Sequence, residues 1–286
     1  YNHQVETVKL SENGFDVLLV APTGGGKTLA GFLPSLNDLI NNKSEKNKLH
    51  TLYISPLKAL TIDVHRNLTS PIKDQGLDIR IETRTGDTSA YKKNRQKILP
   101  PHMLMTTPES LALLLSNKES KDYFKDLKYL IIDEIHVLVN SKRGDLLSLN
   151  LSRIHSISPD CKRIGLSATV KNKETVLKFL TSKNKAKILN VKETSLPKIE
   201  ILETKTRVPW SGHMASYAIK DIYQKIKKSF LTIVFVNTRA QAELVFNKLW
   251  QENDNNLRIA IHHGSLEKEI RRKVESLMSL GKIDCV

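Results

Sequence analysis

The stretch Val17 to Thr28, VLLVAPTGGGKT, decides the fold. Val17, Leu18, Leu19 and Val20 form an apolar run of the kind found in a short strand buried on both faces. A glycine run follows, then Lys27-Thr28, and then TLAGFLPSLNDLI, whose apolar residues recur at helical spacing. Strand, glycine loop and helix, in that order, are the setting of a phosphate-binding loop. Gly24, Gly25 and Gly26, with Thr23 just before them, would turn backbone N–H groups toward phosphate oxygens at a helix N-terminus. Lys27 would reach the β- and γ-phosphates, and the Thr28 hydroxyl would hold Mg²⁺. Ala21 stands where the strict G-x-x-x-x-G-K-[ST] pattern has glycine, so only the relaxed form is met. A plain glycine turn is the alternative, and the strand before and helix after speak against it.

Composition sets the outer bounds. The 286 residues allow one large domain or two ordinary ones, and 40% hydrophobic with 26% charged residues is a globular composition. No apolar run approaches the roughly 20 residues of a membrane span, and YNHQVETVKL at the start lacks the features of a signal peptide. Two cysteines far apart, Cys161 and Cys285, argue against disulfides and structural zinc, and point to a reducing cytosol. A net charge of +15 suggests a polyanionic partner, although a composition heavy in Lys and Asn raises charge without making a patch.

Further strand-to-helix junctions follow along the chain. Gln4 lies upstream of the phosphate loop, where its amide could read an adenine edge or simply face solvent. TLYIS reads as a second buried strand running into Pro56, Leu57, Lys58, Ala59, Leu60 and a helix to about Leu68. DIRIETR alternates and ends in a turn at Thr85, Gly86 and Asp87. A basic helical segment, YKKNRQKI, comes next. HMLMTT is a strand, broken by Thr107-Pro108, with Glu109 in the first turn of the next helix. KYLIIDEIH is the next informative stretch: a buried strand from Tyr129 to Ile132 with Asp133, Glu134 and His136 at its end. Asp133 would hold Mg²⁺ through water, and Glu134 would orient or deprotonate the attacking water. Leu146, Leu147, Leu149, Leu151 and Ile154 mark the next helix and read as core. KRIGLSAT is a further strand ending in Ser167, Ala168 and Thr169.

The fold expected is α/β, as tandem P-loop NTPase domains with parallel sheets. The rhythm weakens between about Asn184 and Pro209; residues 1–190 would be the ATP-binding domain, 191–212 a linker, and 213–286 the start of a second α/β domain. In that second domain TIVFV is a strand with Asn237, Thr238 and Arg239 at its end, and RIAIHHGSL follows with His263 and Gly264. The final KIDCV resembles a strand that has only begun, so the second domain is expected to be truncated, with an exposed, aggregation-prone edge.

In order and spacing, these pieces resemble the superfamily 2 helicases, and within them the Lhr type, most of all the bacterial ligase-associated DEXH-box DNA helicases. APTGGGKT is similar to motif I, SPLKAL to motif Ia, RTGDT and TTPESL to the next two motifs, DEIH to motif II and SAT to motif III. IVFVNTRAQAE and IHHGSL resemble the motif IV region and the segment after it, and PWSGHMA (209–215) points to the ligase-associated branch. The resemblance implies roles for residues that spacing does not explain. His136, Ser167, Ala168 and Thr169 would couple nucleotide to nucleic acid. Pro56 to Leu60, Thr85 to Asp87 and Thr107 to Glu109 would contact one strand's backbone, and Thr238, Arg239, His263 and Gly264 would grip it from the second domain. Closing the two lobes on ATP and opening them after hydrolysis would drive translocation.

The function implied is an ATP- and Mg²⁺-dependent translocase or helicase on single-stranded DNA, moving 3′ to 5′, in DNA repair. RNA is the alternative strand, and a DNA ligase or nuclease a conceivable protein partner. Motifs V and VI of the family would lie beyond Val286. Their arginines being worth roughly a thousandfold or more in rate, the chain by itself is expected to bind ATP and hydrolyse it poorly. An ATP-gated nucleic-acid clamp with little turnover, or an unrelated P-loop ATPase, are the competing readings.

Overall fold

The computed structural model describes residues 1–22, 24–42, 47–168, 170–182, 185–191, 198–204, 210 and 216–286. The chain divides into two compact units, Tyr1–Leu196 and Pro197–Val286. The first opens with α1 (Asn2–Glu12), β1 (Asp16–Val20), α2 (Lys27–Asn41), β2 (Thr51–Ile54), α3 (Lys58–Asp74), β3 (Ile81–Arg84), α4 (Ala90–Ile98) and β4 (Met103–Thr106). It continues with α5 (Pro108–Leu115), α6 (Ser120–Phe124), β5 (Tyr129–Ile132), α7 (Ile135–Leu138), α8 (Lys142–Ile157), β6 (Lys162–Ser167), α9 (Lys173–Leu180) and β7 (Ala186–Asn190).

The strands form a seven-stranded sheet in the order β3-β4-β2-β5-β6-β1-β7, with every pairing parallel. Side chains alternate between two cores. Leu18, Val20, Leu52, Ile54, Leu130 and Ile132 join a cluster with Leu111 of α5, Leu147 and Leu151 of α8, and Leu180 of α9. Val17, Leu19, Tyr53, Ile131, Ile164 and Leu166 join another, with Phe32 of α2 and Val64 and Leu68 of α3. Continuous apolar strands follow directly from this sandwich of helices on both faces. In register, Ile54 faces Thr106 and Ile132, Arg84 faces Thr106, and Val20 faces Ser167. The segments that leave these strands therefore all emerge at one edge.

At the opposite edge Asp16 is buried, only 2% exposed. Its Oδ1 accepts the Arg163 N–H at 2.8 Å, and its Oδ2 accepts the Thr181 hydroxyl at 2.6 Å.

Several local features differ from the sequence reading. Leu149 is 71% exposed, while Leu147, Leu151 and Ile154 are buried. The latter three share one face at i, i+4 and i+7, and Leu149 points roughly 200° away from Leu147. Helix α3 does not stop near Leu68 but continues through Pro71, because Ile72 extends the buried stripe of Val64 and Leu68. Strand β7 lies where the rhythm weakens; it is an edge strand with a mixed burial pattern, which blurs its periodicity.

The second unit contains α10 (Ile219–Lys227), α11 (Arg239–Gln251) and α12 (Lys268–Ser279). Its core gathers Ile219, Tyr223 and Ile226 with Val245, Leu249, Ile259 and Cys285. Cys285 bridges Thr232 on one side and Ile259 on the other, both parallel. TIVFV thus enters the ladder through single bridges rather than as a full strand, since its partner segment pairs over only a few residues. Among the described residues no helix is long and apolar enough to cross a membrane.

The α8 stripe makes a direct test. Leu147→Ala should cost about 2–5 kcal/mol of stability, whereas Leu149→Ala should stay within about 0.5 kcal/mol. Urea unfolding of the two variants checks this, and equal losses would contradict the packing.

Candidate nucleotide and nucleic-acid sites

The phosphate loop follows from the local backbone. Gly24 and Gly26 have φ of +77° and +72°, a region that side-chain-bearing residues adopt at a cost. A Cβ on Gly26 would also lie 2.8 Å from Gln4 Nε2. Gly26 is the N-cap of α2, and no side chain caps that helix. The first turn of α2 is therefore built to receive an anion. Lys27 opens α2 at 7% exposure, and its Nζ donates to the Ala21 carbonyl at 3.0 Å. An ammonium has three donors, so this contact leaves capacity for phosphate oxygens. Gln4 lies against the loop, its Nε2 donating to the Gly26 carbonyl at 3.3 Å. Thr28, the second residue of α2, is half-buried. Thr23 and Thr169 lie outside the described residues.

Asp133 leaves β5 with its N–H donating to the Ile54 carbonyl at 2.8 Å. Its carboxylate is 5% exposed and holds two donors: the Tyr53 hydroxyl on Oδ2 at 2.6 Å and the Glu134 N–H on Oδ1 at 2.8 Å. Glu134 adopts a left-handed backbone, φ +45° and ψ +40°, as the N-cap of α7. His136 Nδ1 lies 3.5 Å from Glu134 Oε2 and accepts the Ala168 N–H at 3.4 Å. One ring nitrogen thus stands between the end of β5 and the end of β6. It accepts from Ala168 when unprotonated and donates toward Glu134 when protonated. Ser167 Oγ donates to the Ala168 carbonyl at 2.8 Å. A glycine cradle, a buried ammonium, a hydroxyl and a buried carboxylate are the donor set that suits a nucleoside triphosphate with Mg²⁺, a hard cation that keeps several waters.

The neighbouring strands β3, β4 and β2 bring together the three segments assigned to nucleic acid. Pro56, Thr85, Thr107 and Pro108 are buried, so any contact they made with a ligand would be through backbone groups. Lys58 and Ala59 are exposed, and Leu60 is half-buried. Lys58 Nζ pairs with Asp87 Oδ1 at 2.9 Å and passes 3.2 Å from where a Gly86 Cβ would stand. Glu109 is held by Arg143, with Nε to Oε1 at 2.5 Å and Nη2 to Oε2 at 3.1 Å. The carboxylates of Asp87 and Glu109 each pair with a cation, Lys58 and Arg143. Arg143 is the residue the sequence reading missed. It lies in the first turn of α8 beside Gly144, where a Cβ would sit 2.0 Å from the Leu138 carbonyl oxygen, so that only glycine fits there.

Within the second unit the four assigned residues share one corner. Thr238 caps α11 in a capping box with Gln241. Arg239 Nη1 donates to Ser265 Oγ at 2.8 Å, beside Gly264. His263 Nε2 pairs with Glu243 Oε1 at 2.7 Å. Of PWSGHMA only Trp210 lies among the described residues.

Residues 1–176 match the DEAD/DEAH box helicase family, and the chain belongs to that family. Within superfamily 2 it is of the Lhr type, as its relatives show. It is 36% identical to the ATP-dependent helicase Lhr-Core protein 2 of Thermococcus barophilus, over 96% of this chain and 34% of that protein. It is 30% identical to the Lhr helicase/uracil glycosylase of Escherichia coli, over 99% of this chain and 22% of that protein. The structure of Mycobacterium smegmatis helicase Lhr bound to ssDNA and AMP-PNP matches with a TM-score of 0.75 and 31% identity, over 99% of this chain and 39% of that one. The chain thus spans about a third or less of the length of these curated relatives, and its fold is their RecA-like α/β fold.

The hydrogen bonds from Arg143, the largest cause, hold the Glu109 carboxyl below the usual carboxylate range, with burial acting the other way. The folded carboxyl is harder to protonate than the unfolded one. The Glu109–Arg143 link therefore contributes above the ordinary value of about 4.3 and is lost as pH falls through the lower folded value. NMR titration should place the Glu109 midpoint below about 4.3, returning toward it in Arg143→Gln. Equal midpoints in the two proteins would dissolve the link.

Proposed function

We propose that this chain is the ATP-dependent motor of a DNA helicase, binding ATP–Mg²⁺ and one strand of DNA. The observation that carries the reading is the shared edge of one sheet. There the loop of Lys27 and Thr28 after β1 and the Asp133-Glu134 pair after β5 flank β6, whose end contacts His136. Lys27 neutralises the β- and γ-phosphates, with Gly24, Gly25 and Gly26 supplying backbone donors and Gln4 reading the base. Thr28 and Asp133 would hold Mg²⁺, which when bound shields the charge of the phosphates. Glu134 orients and deprotonates the attacking water. His136, within reach of both Glu134 and the Ala168 N–H, passes the state of the nucleotide to the end of β6.

Backbone groups around Pro56, Thr85 and Thr107, with Lys58 and Ala59, track one strand without reading bases. Thr238, Arg239, His263 and Gly264 do so from the second unit, in a division of 1–190, a linker at 191–212, and 213–286. The ssDNA in the structure of the Mycobacterium smegmatis relative supports DNA as the strand. The ligase-associated resemblance of PWSGHMA supports a setting in DNA repair and a ligase or nuclease partner, and the two distant cysteines support a cytoplasmic location.

Nucleotide binding and steady-state ATPase, each measured alone, with single-stranded DNA and with single-stranded RNA, test the proposal. Lys27→Ala should weaken ATP binding about ten- to hundredfold, the loss of a charge-assisted hydrogen bond or two. Turnover should be slow throughout, and single-stranded DNA should bind in preference to RNA. Binding indifferent to Lys27 would remove the phosphate loop from the reading, and stimulation by RNA alone would reassign the strand.

A further inference from the structure

Tyr53 belongs to no motif, yet it touches the centre of the site. It is the third residue of β2, fully buried at 0% exposure, and its ring packs against Phe32 of α2 with centroids 5.2 Å apart. Its hydroxyl donates to Asp133 Oδ2 at 2.6 Å. A buried phenol needs a partner for its hydroxyl, and here the partner is the one carboxylate assigned above to Mg²⁺. The second oxygen of Asp133 takes the Glu134 N–H at 2.8 Å. The carboxylate is therefore held by donors from two sides, and turning it would break both bonds. Burial first, and then the charge of Asp133, push the Tyr53 hydroxyl pKa upward, so it remains a donor. Through Phe32 the same ring also fixes β2 against the helix that begins with Lys27 and Thr28.

We infer that Tyr53 is a positioning residue for the metal–nucleotide complex: its hydroxyl holds the Asp133 carboxylate in the orientation that receives Mg²⁺. This rests on the assignment of Asp133 as a holder of the metal. It differs from a packing role, because Tyr53→Phe keeps the ring against Phe32 and removes only the hydroxyl.

The test is the affinity of the 286-residue chain for AMP-PNP, measured with Mg²⁺ and with EDTA. The ratio of the two affinities isolates what the metal adds. Loss of an outer hydrogen bond to a metal-binding carboxylate costs about ten- to hundredfold in metal affinity. The ratio should fall by that factor in Tyr53→Phe, while affinity in EDTA stays that of the wild type. In an Asp133→Asn background the same change should add nothing further. Equal ratios in wild type and Tyr53→Phe would overturn the role of Tyr53 alone, as would an equal further loss in the Asp133→Asn background. A wild type whose binding ignores both Mg²⁺ and Lys27→Ala would overturn the functional reading as well.

Discussion

The buried carboxylate of Asp16 is the constraint on which the first unit depends. Both faces of β1 are apolar, with Leu18 and Val20 in one core and Val17 and Leu19 in the other. A slip of one residue would exchange apolar side chains for apolar side chains, so burial alone sets the register weakly. Asp16 breaks that degeneracy. Its two oxygens accept the Arg163 N–H and the Thr181 hydroxyl, and any shift would leave a buried charge without donors. With β1 pinned against β6 at that end, Val20 comes level with Ser167, and the Ala21 N–H reaches the Ser167 carbonyl at 3.1 Å. The phosphate loop thus starts beside the Ser-Ala junction because of a bond made at the far edge of the sheet.

Much of this was legible in the amino-acid order. Strands such as VLLV and YLII are apolar without interruption because helices cover both sheet faces, and three glycines beside Lys27 have few other uses. What escaped reading depends on tertiary partners. Leu149 looked like core because it sits among leucines, and only the rotation of α8 puts it in water. Strand β7 carries Lys187 and Asn190 at the sheet's edge, where one-sided pairing tolerates polar residues. Tyr53 reads as one more apolar strand residue, since nothing local says that its hydroxyl ends on a residue 80 positions away.

Charge organisation shows the same limit. The net charge of +15 describes an amount, not a pattern. The structure supplies the pattern: Asp87 with Lys58 and Glu109 with Arg143 are pairs in which an acidic side chain fixes the direction of a basic one. Exposed ion pairs of this kind add little stability. Their effect is to reduce the conformations a long cation explores.

Glu134 carries a different kind of consequence. Its backbone lies in the left-handed region, which disfavours a residue with a full side chain by about 1–2 kcal/mol. Glycine or asparagine adopts that conformation more readily. A lineage selected only for a sturdier fold would drift away from glutamate at this position, and a screen for heat-resistant variants would be drawn to it. Thermostability and retention of this carboxylate therefore pull in opposite directions at a single codon, which makes position 134 a place where apparent improvement would accompany loss of the side chain.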